Sequence, residues 1–240
     1  DTLSSDRILS LHRDANRKLW IGTDGGGGNI LDLRTGTIKA LKANFAYSDS
    51  LSSNVINAIY EDKEGIIWLG TSKGGLNSFD GKSFRRFMND SNNPFSISHN
   101  DINSITEDHQ GNLWIATYGG GLNKFDKEQD FTRYQKVSGD TNSISSNVVF
   151  CVYVDSAYAW IGTAEGLERL NLKNEQFKRY NGQNGIGSNI VYGILKDDMN
   201  NLWLSTNRGI AKFNIETESF QIFDEKYGEC PEKILLVIAG

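Results

Sequence analysis

The chain has 240 residues, of which 38% are apolar and 23% charged, and its formal net charge is −5. This length suits one large all-β domain or two small ones, and the apolar content is sufficient for a packed core. The acidic balance argues against a nucleic-acid partner or an anionic membrane surface. The longest apolar run, Ile234–Ala239, is far shorter than the roughly 20 residues of a membrane-spanning helix.

The two cysteines, Cys151 and Cys230, form neither a disulfide framework nor a zinc motif. A single bridge between them stays open. The apolar neighbours of Cys151 favour a small core residue in a strand.

All five tryptophans occur in one repeated pattern, in which a threonine follows three residues later and a glycine three residues after that. The tryptophans are Trp20, Trp68, Trp114, Trp160 and Trp203, separated by 48, 46, 46 and 43 residues. A period in this range is the signature of a repeat architecture.

In chain order, each repeat first shows a short polar segment such as Leu51–Asn54 and then an apolar pair such as Ile56 and Ile59. The three-residue step resembles a helix, but the segment is short and rich in β-branched residues, so we predict a buried inner strand. A hairpin such as Asp62–Gly65 follows. Repeat one has Arg17 at the glycine position and repeat four is one residue shorter after Asp155, so these two turns are expected to differ in type.

The tryptophan strand comes next, and then an alternating third strand and a fourth strand with paired aromatics. Four antiparallel strands in such a unit predict an all-β fold, a β-propeller of four-stranded blades. Each tryptophan is predicted to pack between blades. The repeats cover about 3–47, 48–94, 95–142, 143–183 and 184–227, and 228–240 is predicted to be the first strand of a sixth.

Five repeats and one extra strand do not obviously close a ring. We therefore expect residues 1–240 to be a single propeller region cut from a larger, seven-bladed ring, with a closed five-bladed ring as the alternative.

One face of such a propeller gathers the turns after the tryptophan strands and the segments that precede the first strands. The position after the threonine varies from repeat to repeat, as is typical of a binding surface on a rigid scaffold. The ligand-binding candidates on this face are Asp24, Ser72, Lys73, His99, Tyr118, Glu165, Asn207 and Arg208. Among them, Tyr118 is the strongest candidate for stacking on a sugar.

No sequence motif indicates catalysis or a cofactor. Gly25–Gly28 lacks the Lys and Ser/Thr of a phosphate loop and precedes a strand. The three histidines occupy different repeat positions, and no nucleophile or metal motif is present. We therefore predict no catalytic residues, no metal site and no cofactor in this chain.

The pattern N-V-x-x-I-x-E-D-x-x-G-x-L-W-I-G-T-x-x-G-G-L-N-x-F-D is carried most fully by residues 54–80 and 100–126. It resembles the propeller repeats of the periplasmic sensor region in hybrid two-component histidine kinases of Bacteroidetes. The resemblance implies a propeller that senses oligosaccharides from complex glycans and relays the signal across the membrane. It also implies further blades and domains of a parent protein, a membrane helix outside this chain, and a homodimer among the partners.

Two other functions stay open at this stage. Propellers similar to streptogramin lyases also repeat a tryptophan strand and use a metal with a histidine base, for which His99 is the residue on the expected face. A protein-interaction platform would instead show an exposed apolar patch on that face.

Overall fold

The computed structural model describes residues 2–44, 46–128 and 130–223. Within these ranges the chain is all-β, as predicted, and its strands form five four-stranded sheets with the strands side by side in chain order. This is the blade expected for each repeat, and we number the sheets blades 1 to 5. In the described part, no helix is both long enough and apolar enough to cross a membrane. The predicted strand at 228–240 and Cys230 lie outside the described residues.

The described chain folds into two compact units. The first unit comprises residues 2–117 and 123–133, and the second comprises residues 118–122 and 134–223. Blades 1 to 3 lie almost entirely in the first unit, with strands β1 (Ile8–Arg13), β2 (Lys18–Thr23), β3 (Gly28–Asp32), β4 (Ile38–Leu41), β5 (Ile56–Glu61), β6 (Ile67–Thr71), β7 (Leu76–Phe79), β8 (Phe84–Phe87), β9 (Ile102–Glu107), β10 (Leu113–Thr117), β11 (Leu122–Phe125) and β12 (Phe131–Tyr134). Blades 4 and 5 lie in the second unit, with strands β13 (Val149–Val154), β14 (Tyr158–Thr163), β15 (Gly166–Asn171), β16 (Phe177–Tyr180), β17 (Val191–Lys196), β18 (Asn201–Thr206), β19 (Gly209–Asn214) and β20 (Ser219–Phe223), and a short 3-10 turn at Gly182–Asn184.

A β-bulge in the first strand of every blade explains the three-residue apolar step. In blade 2, Ile56 pairs with Thr71 while Ala58 pairs with Gly70, which leaves Asn57 as the extra residue. A bulge shifts the in-and-out alternation by one position, so residues three apart point to the same side. The extra residues in the five blades are Leu9, Asn57, Asn103, Phe150 and Tyr192.

The buried first strand is confirmed in blades 2 to 5 and wrong in blade 1. Ile56 and Val191 are fully buried, whereas Ile8 and Leu11 are 46% and 44% exposed. Within the first unit, β5 packs against β1 and β2 of the preceding blade. Blade 1 is the first blade of that unit, so no earlier blade of the unit covers β1.

The hairpin prediction is wrong for repeat one and right for repeat four. Arg17 adopts the left-handed conformation, with φ of 61°, as Gly65 does with φ of 80°. The N–H of Arg17 donates to the Asp14 carbonyl, and Asp14 accepts from the N–H of Lys18, which reproduces the glycine turn. In repeat four the Asp155 N–H bonds to the Tyr158 carbonyl instead, a turn one residue tighter.

The tryptophans are structural, as predicted. Each indole N–H donates to the carboxylate of the hairpin aspartate in its own blade, in the pairs Trp20–Asp14, Trp68–Asp62, Trp114–Asp108, Trp160–Asp155 and Trp203–Asp197 at 2.8–3.3 Å. In blades 1, 2 and 4 the ring also meets the third strand of the next blade, as predicted. The ring centroids are 5.7 Å apart for Trp20 and Phe79, 5.9 Å for Trp68 and Phe125, and 5.6 Å for Trp160 and Phe213. The hairpin aspartate therefore fixes the ring that joins two neighbouring blades.

Candidate functional site

The predicted site face is built by hydrogen bonds between successive repeats. The N–H groups of Gly25 and Gly27 donate to the Asn54 carbonyl at 3.0 and 2.8 Å. The side chain of Asn54 accepts from the N–H of Ala43, at the end of the same preceding repeat. The glycine turn after one tryptophan strand is thus tied to the segment that leads into the next blade. This arrangement recurs at Asn147 in the second unit.

In the first unit, Asp101 brings together three of the predicted residues. Its carboxylate accepts from the Ser72 hydroxyl at 2.6 Å and from the Lys73 N–H at 2.8 Å. Its own N–H donates to Nδ1 of His99 at 3.1 Å, and its carboxylate lies 3.9 Å from that nitrogen. His99 therefore acts as a local turn cap, in the position where Ser53 caps the turn of repeat two.

Sequence reasoning missed Asp101. The sequence does set Asp101 apart. Val55, Val148 and Ile190 occupy the same position in repeats two, four and five, so a carboxylate at this position of repeat three is unusual. Asp24 is not part of this cluster, since its carboxylate pairs with Arg7 at 2.6 Å in an exposed ion pair. Such a pair contributes little to stability.

In the second unit, three other predicted residues line one cleft. Glu165, Asn207 and Arg208 surround a cleft of about 570 Å³ between the turns after β14 and β18 and the segment before β17. The Ser188 hydroxyl donates to the Asn207 side-chain oxygen, and the Arg208 guanidinium donates to the Gly187 carbonyl at 3.4 Å. The cleft thus presents carboxylate, amide, hydroxyl and guanidinium groups around one opening.

In the same unit, Tyr118 heads a row of three aromatic rings, which we call the aromatic row. The rings of Tyr118 and Phe150 are 6.3 Å apart, and those of Phe150 and Tyr192 are 4.9 Å apart. Tyr118 is 55% exposed and Tyr192 is 47% exposed. Sequence reasoning missed Phe150 and Tyr192 because nothing in the strand pattern showed that they occupy the bulge position.

Comparison with known proteins agrees with the repeat fold. Residues 2–25, 50–73 and 96–119 match the two component regulator propeller family. The chain carries two-component regulator propeller repeats. Each matched segment runs from the polar segment before a first strand to the turn after the tryptophan strand. The candidates of blades 1 to 3 lie at the ends of these segments, whereas Glu165, Asn207 and Arg208 lie outside them.

Several solved structures are similar to this chain in fold. The extracellular domain of a protein described as the hybrid two component system BT3049 from B. thetaiotaomicron is 28% identical, with a TM-score of 0.80, over 91% of this chain and 30% of that one. The extracellular domain of BT4673 from B. thetaiotaomicron, described as a one component system, is 22% identical with a TM-score of 0.60, over 90% and 37% of the two chains. PorZ, a surface component of the type-IX secretion system of Porphyromonas gingivalis, is 17% identical with a TM-score of 0.67, over 87% and 32%. The present chain thus spans about a third of the length of each. No curated protein matches it in sequence.

An asparagine at one position of the third strand is shared by blades 1 to 3 and is replaced by Glu168 in blade 4 and Ala211 in blade 5. Asn29, Asn77 and Asn123 are fully buried, and each exchanges hydrogen bonds with the serine of its own first segment. Glu168 takes this position in blade 4, where its Oε1 accepts from the N–H and hydroxyl of Ser145. Its Oε2 is buried without a hydrogen bond and lies 3.9 Å from the Arg179 guanidinium. Burial raises the pKa of the Glu168 carboxyl above its ordinary value.

The opposite, hairpin face of the first unit holds a buried ionic cluster. Lys127 binds the carboxylates of Asp62 and Glu107 at 2.9 and 2.7 Å, and all three side chains are at most 13% exposed. The Glu107 carboxylate also accepts from the Lys63 N–H of the preceding blade. The cluster therefore ties the hairpin of blade 2 to blade 3.

Among residues 2–44, 46–128 and 130–223, no group of three or more His, Cys, Asp and Glu side chains is placed to hold a metal ion. Cys151 is a free thiol that packs against the core of blades 4 and 5, as the sequence predicted, and burial raises its pKa to about 12.

Proposed function

We propose that this chain is part of the extracytoplasmic, periplasmic sensing region of a hybrid two-component histidine kinase, and that its loop face binds an oligosaccharide. The carrying observation is the cleft lined by Glu165, Asn207 and Arg208. Carboxylate, amide and guanidinium groups around one opening can bond to the many hydroxyls of a saccharide, each of which both donates and accepts.

The frame around this cleft supports a recognition role. The turns are held by backbone hydrogen bonds that recur from repeat to repeat, while the exposed side chains on them change. Fixed backbone with variable side chains is how rigid scaffolds carry binding sites. In this chain the repeats present Asp24, Ser72, Tyr118, Ala164 and Asn207 at one equivalent position.

The likeness to BT3049 supports the signalling context. That protein is described as a hybrid two component system, and the part in its structure is extracellular. We infer that this chain senses a ligand outside the cytoplasm and that binding shifts the contacts of its blades with neighbouring domains or with a second protomer.

Isothermal titration calorimetry of the intact extracytoplasmic region tests the proposal. The probes are cello-, xylo-, manno- and arabino-oligosaccharides of graded length, together with host-glycan oligosaccharides. We expect one class to bind, and we expect Arg208→Ala to weaken that binding while Arg34→Ala, which removes an exposed arginine of blade 1, leaves it unchanged. Absence of binding to every probe would overturn the proposal.

A further inference from the structure

Three aromatic rings in the second unit are placed where the blade fold does not need them. Phe150 and Tyr192 occupy the bulge position of blades 4 and 5, which is Asn57 and Asn103 in blades 2 and 3. An extra residue in a bulge makes no regular ladder pair, so the fold sets few demands on its side chain. The structural aromatics behave differently, since Trp114 and Trp160 are at most 1% exposed.

The aromatic row leaves the rings of its two tyrosines accessible, while Phe150 between them is partly buried. Tyr118 and Tyr192 are about half exposed, and in the described chain neither hydroxyl makes a hydrogen bond within the protein. Adjacent rings of the row are 6.3 and 4.9 Å apart and inclined at 61° and 57°. The rings therefore pack edge to face rather than as one flat surface, and Tyr118 and Tyr192 lie on opposite sides of Phe150. Only a ligand longer than one sugar can contact both tyrosines.

The strands that carry Phe150 and Tyr192 begin next to segments that line the polar cleft or bond to its lining. Ile190 lines the cleft, and Tyr192 follows two residues later in β17. Ala164 also lines the cleft, and its N–H donates to the Val148 carbonyl at 3.1 Å, two residues before Phe150. The cleft and the aromatic row therefore belong to neighbouring parts of the same two blades.

We propose that the aromatic row is the stacking part of the ligand site, and that it binds a linear saccharide of at least two pyranose rings through their apolar faces. The inference rests on the proposed function and adds to it the residues that recognise the rings and the direction in which the chain of sugars runs. Aromatic rings supply large rigid contact area with a polar tip, which suits a ligand with one apolar face and a polar rim. The hydroxyls of Tyr118 and Tyr192 remain free to bond to that rim.

The test uses the intact extracytoplasmic region and the saccharide class that binds it. We expect Phe150→Ala and Tyr192→Ala each to weaken binding about 3- to 10-fold. Tyr192→Phe keeps the ring and should retain most of the affinity. Tyr47→Ala serves as the matched control, because Tyr47 is a 62% exposed tyrosine outside the row.

Two further measurements distinguish ligand contact from a purely structural role: the dependence of affinity on oligosaccharide length, and the NMR chemical shifts of the sugar protons. Tyr118→Ala should weaken binding of the longer oligosaccharides and leave the shortest binding ones unchanged, because only a longer chain reaches the end of the row. Sugar protons that face the rings should shift upfield in NMR spectra, and the shift should disappear in the alanine variants.

The outcomes separate the two proposals. Saccharide binding that survives Phe150→Ala and Tyr192→Ala, in variants with wild-type thermal unfolding, overturns the aromatic row and leaves the proposed function standing. Binding to none of the saccharides overturns both. Binding of a protein partner that depends on Tyr192 while no saccharide binds would assign the row to a protein interface and overturn the saccharide inference.

Discussion

Replacing Asp62 with alanine tests whether the buried ionic cluster stabilises the first unit. The Asp62 carboxylate accepts from the Trp68 indole at 2.8 Å and from the N–H groups of Glu64 and Ile66 at 3.0 and 2.9 Å. It also binds the ammonium of Lys127 at 2.9 Å, and its side chain is fully buried. The substitution therefore removes one ion pair and leaves the indole N–H without its acceptor.

The expected cost follows from the two losses. Removing one partner of a buried ion pair costs about 3–5 kcal/mol, because the remaining charge stays buried without compensation. A buried donor left without an acceptor costs about 1–3 kcal/mol. Lys127 keeps Glu107 at 2.7 Å, which limits the first loss. We expect Asp62→Ala to lower the free energy of unfolding by about 3–5 kcal/mol in total.

Asp108→Ala is the matched control. Asp108 holds the same turn in blade 3 of the same unit, is also buried, accepts from the Trp114 indole at 3.0 Å, and makes no ion pair among the described residues. Its loss removes hydrogen bonds alone, so we expect about 1–2 kcal/mol. Urea unfolding followed by tryptophan fluorescence measures both variants. Equal costs for the two substitutions would refute the argument that the lysine contact adds stability beyond the turn.

Two further predictions concern blade packing and a buried acid. Gly70→Ala should destabilise the protein by about 1–3 kcal/mol, because a Cβ there would lie 2.5 Å from the Cγ2 methyl of Ile102 in the next blade. Thermal unfolding measures the loss. If the clash is the cause, Gly70→Ala should cost less in an Ile102→Ala background, because that change removes the Cγ2 methyl. Glu168→Gln should remove one contribution to the pH dependence of the free energy of unfolding. Because the pKa of Glu168 is raised in the folded protein, the folded protein binds this proton more tightly than the unfolded chain does. The stabilisation from this group is therefore present at low pH and is lost as the pH rises through the folded pKa. Unfolding free energies measured across a pH series should therefore separate the wild type from the variant toward higher pH, and parallel curves would contradict the assignment.

The repeat fold could be predicted from the sequence because its signals recur five times. The tryptophan register and the hairpin aspartates fix blade number and strand order without knowledge of the packing. The exposed face of β1 could not be predicted in the same way. Ile8 and Ile56 have the same pattern in sequence, and only the presence of a preceding blade in the same unit buries one of them.

Local backbone conformation was harder to predict where hydrogen bonds in the folded protein override the intrinsic preference of a residue. Arg17 adopts a left-handed backbone that costs a non-glycine residue about 1–2 kcal/mol. The hydrogen bonds around Asp14 hold it there, and they become visible only in the structure. The same holds for the binding face, where Tyr118 was found from its unusual place among glycines and Phe150 was not. Its role depends on a bulge that the strand pattern conceals.

The bonds from Asn54 to the preceding repeat have a consequence for exchanging repeats between proteins. Asn54, in the segment that begins blade 2, supplies the carbonyl that accepts from the glycine turn of blade 1. Its side chain accepts from Ala43 at the end of the same preceding repeat. A repeat transferred with its boundaries at the edges of one sheet would lack the asparagine that accepts from its glycine turn. A repeat transferred from one tryptophan strand to the next would contain both the glycine turn and the asparagine that binds it.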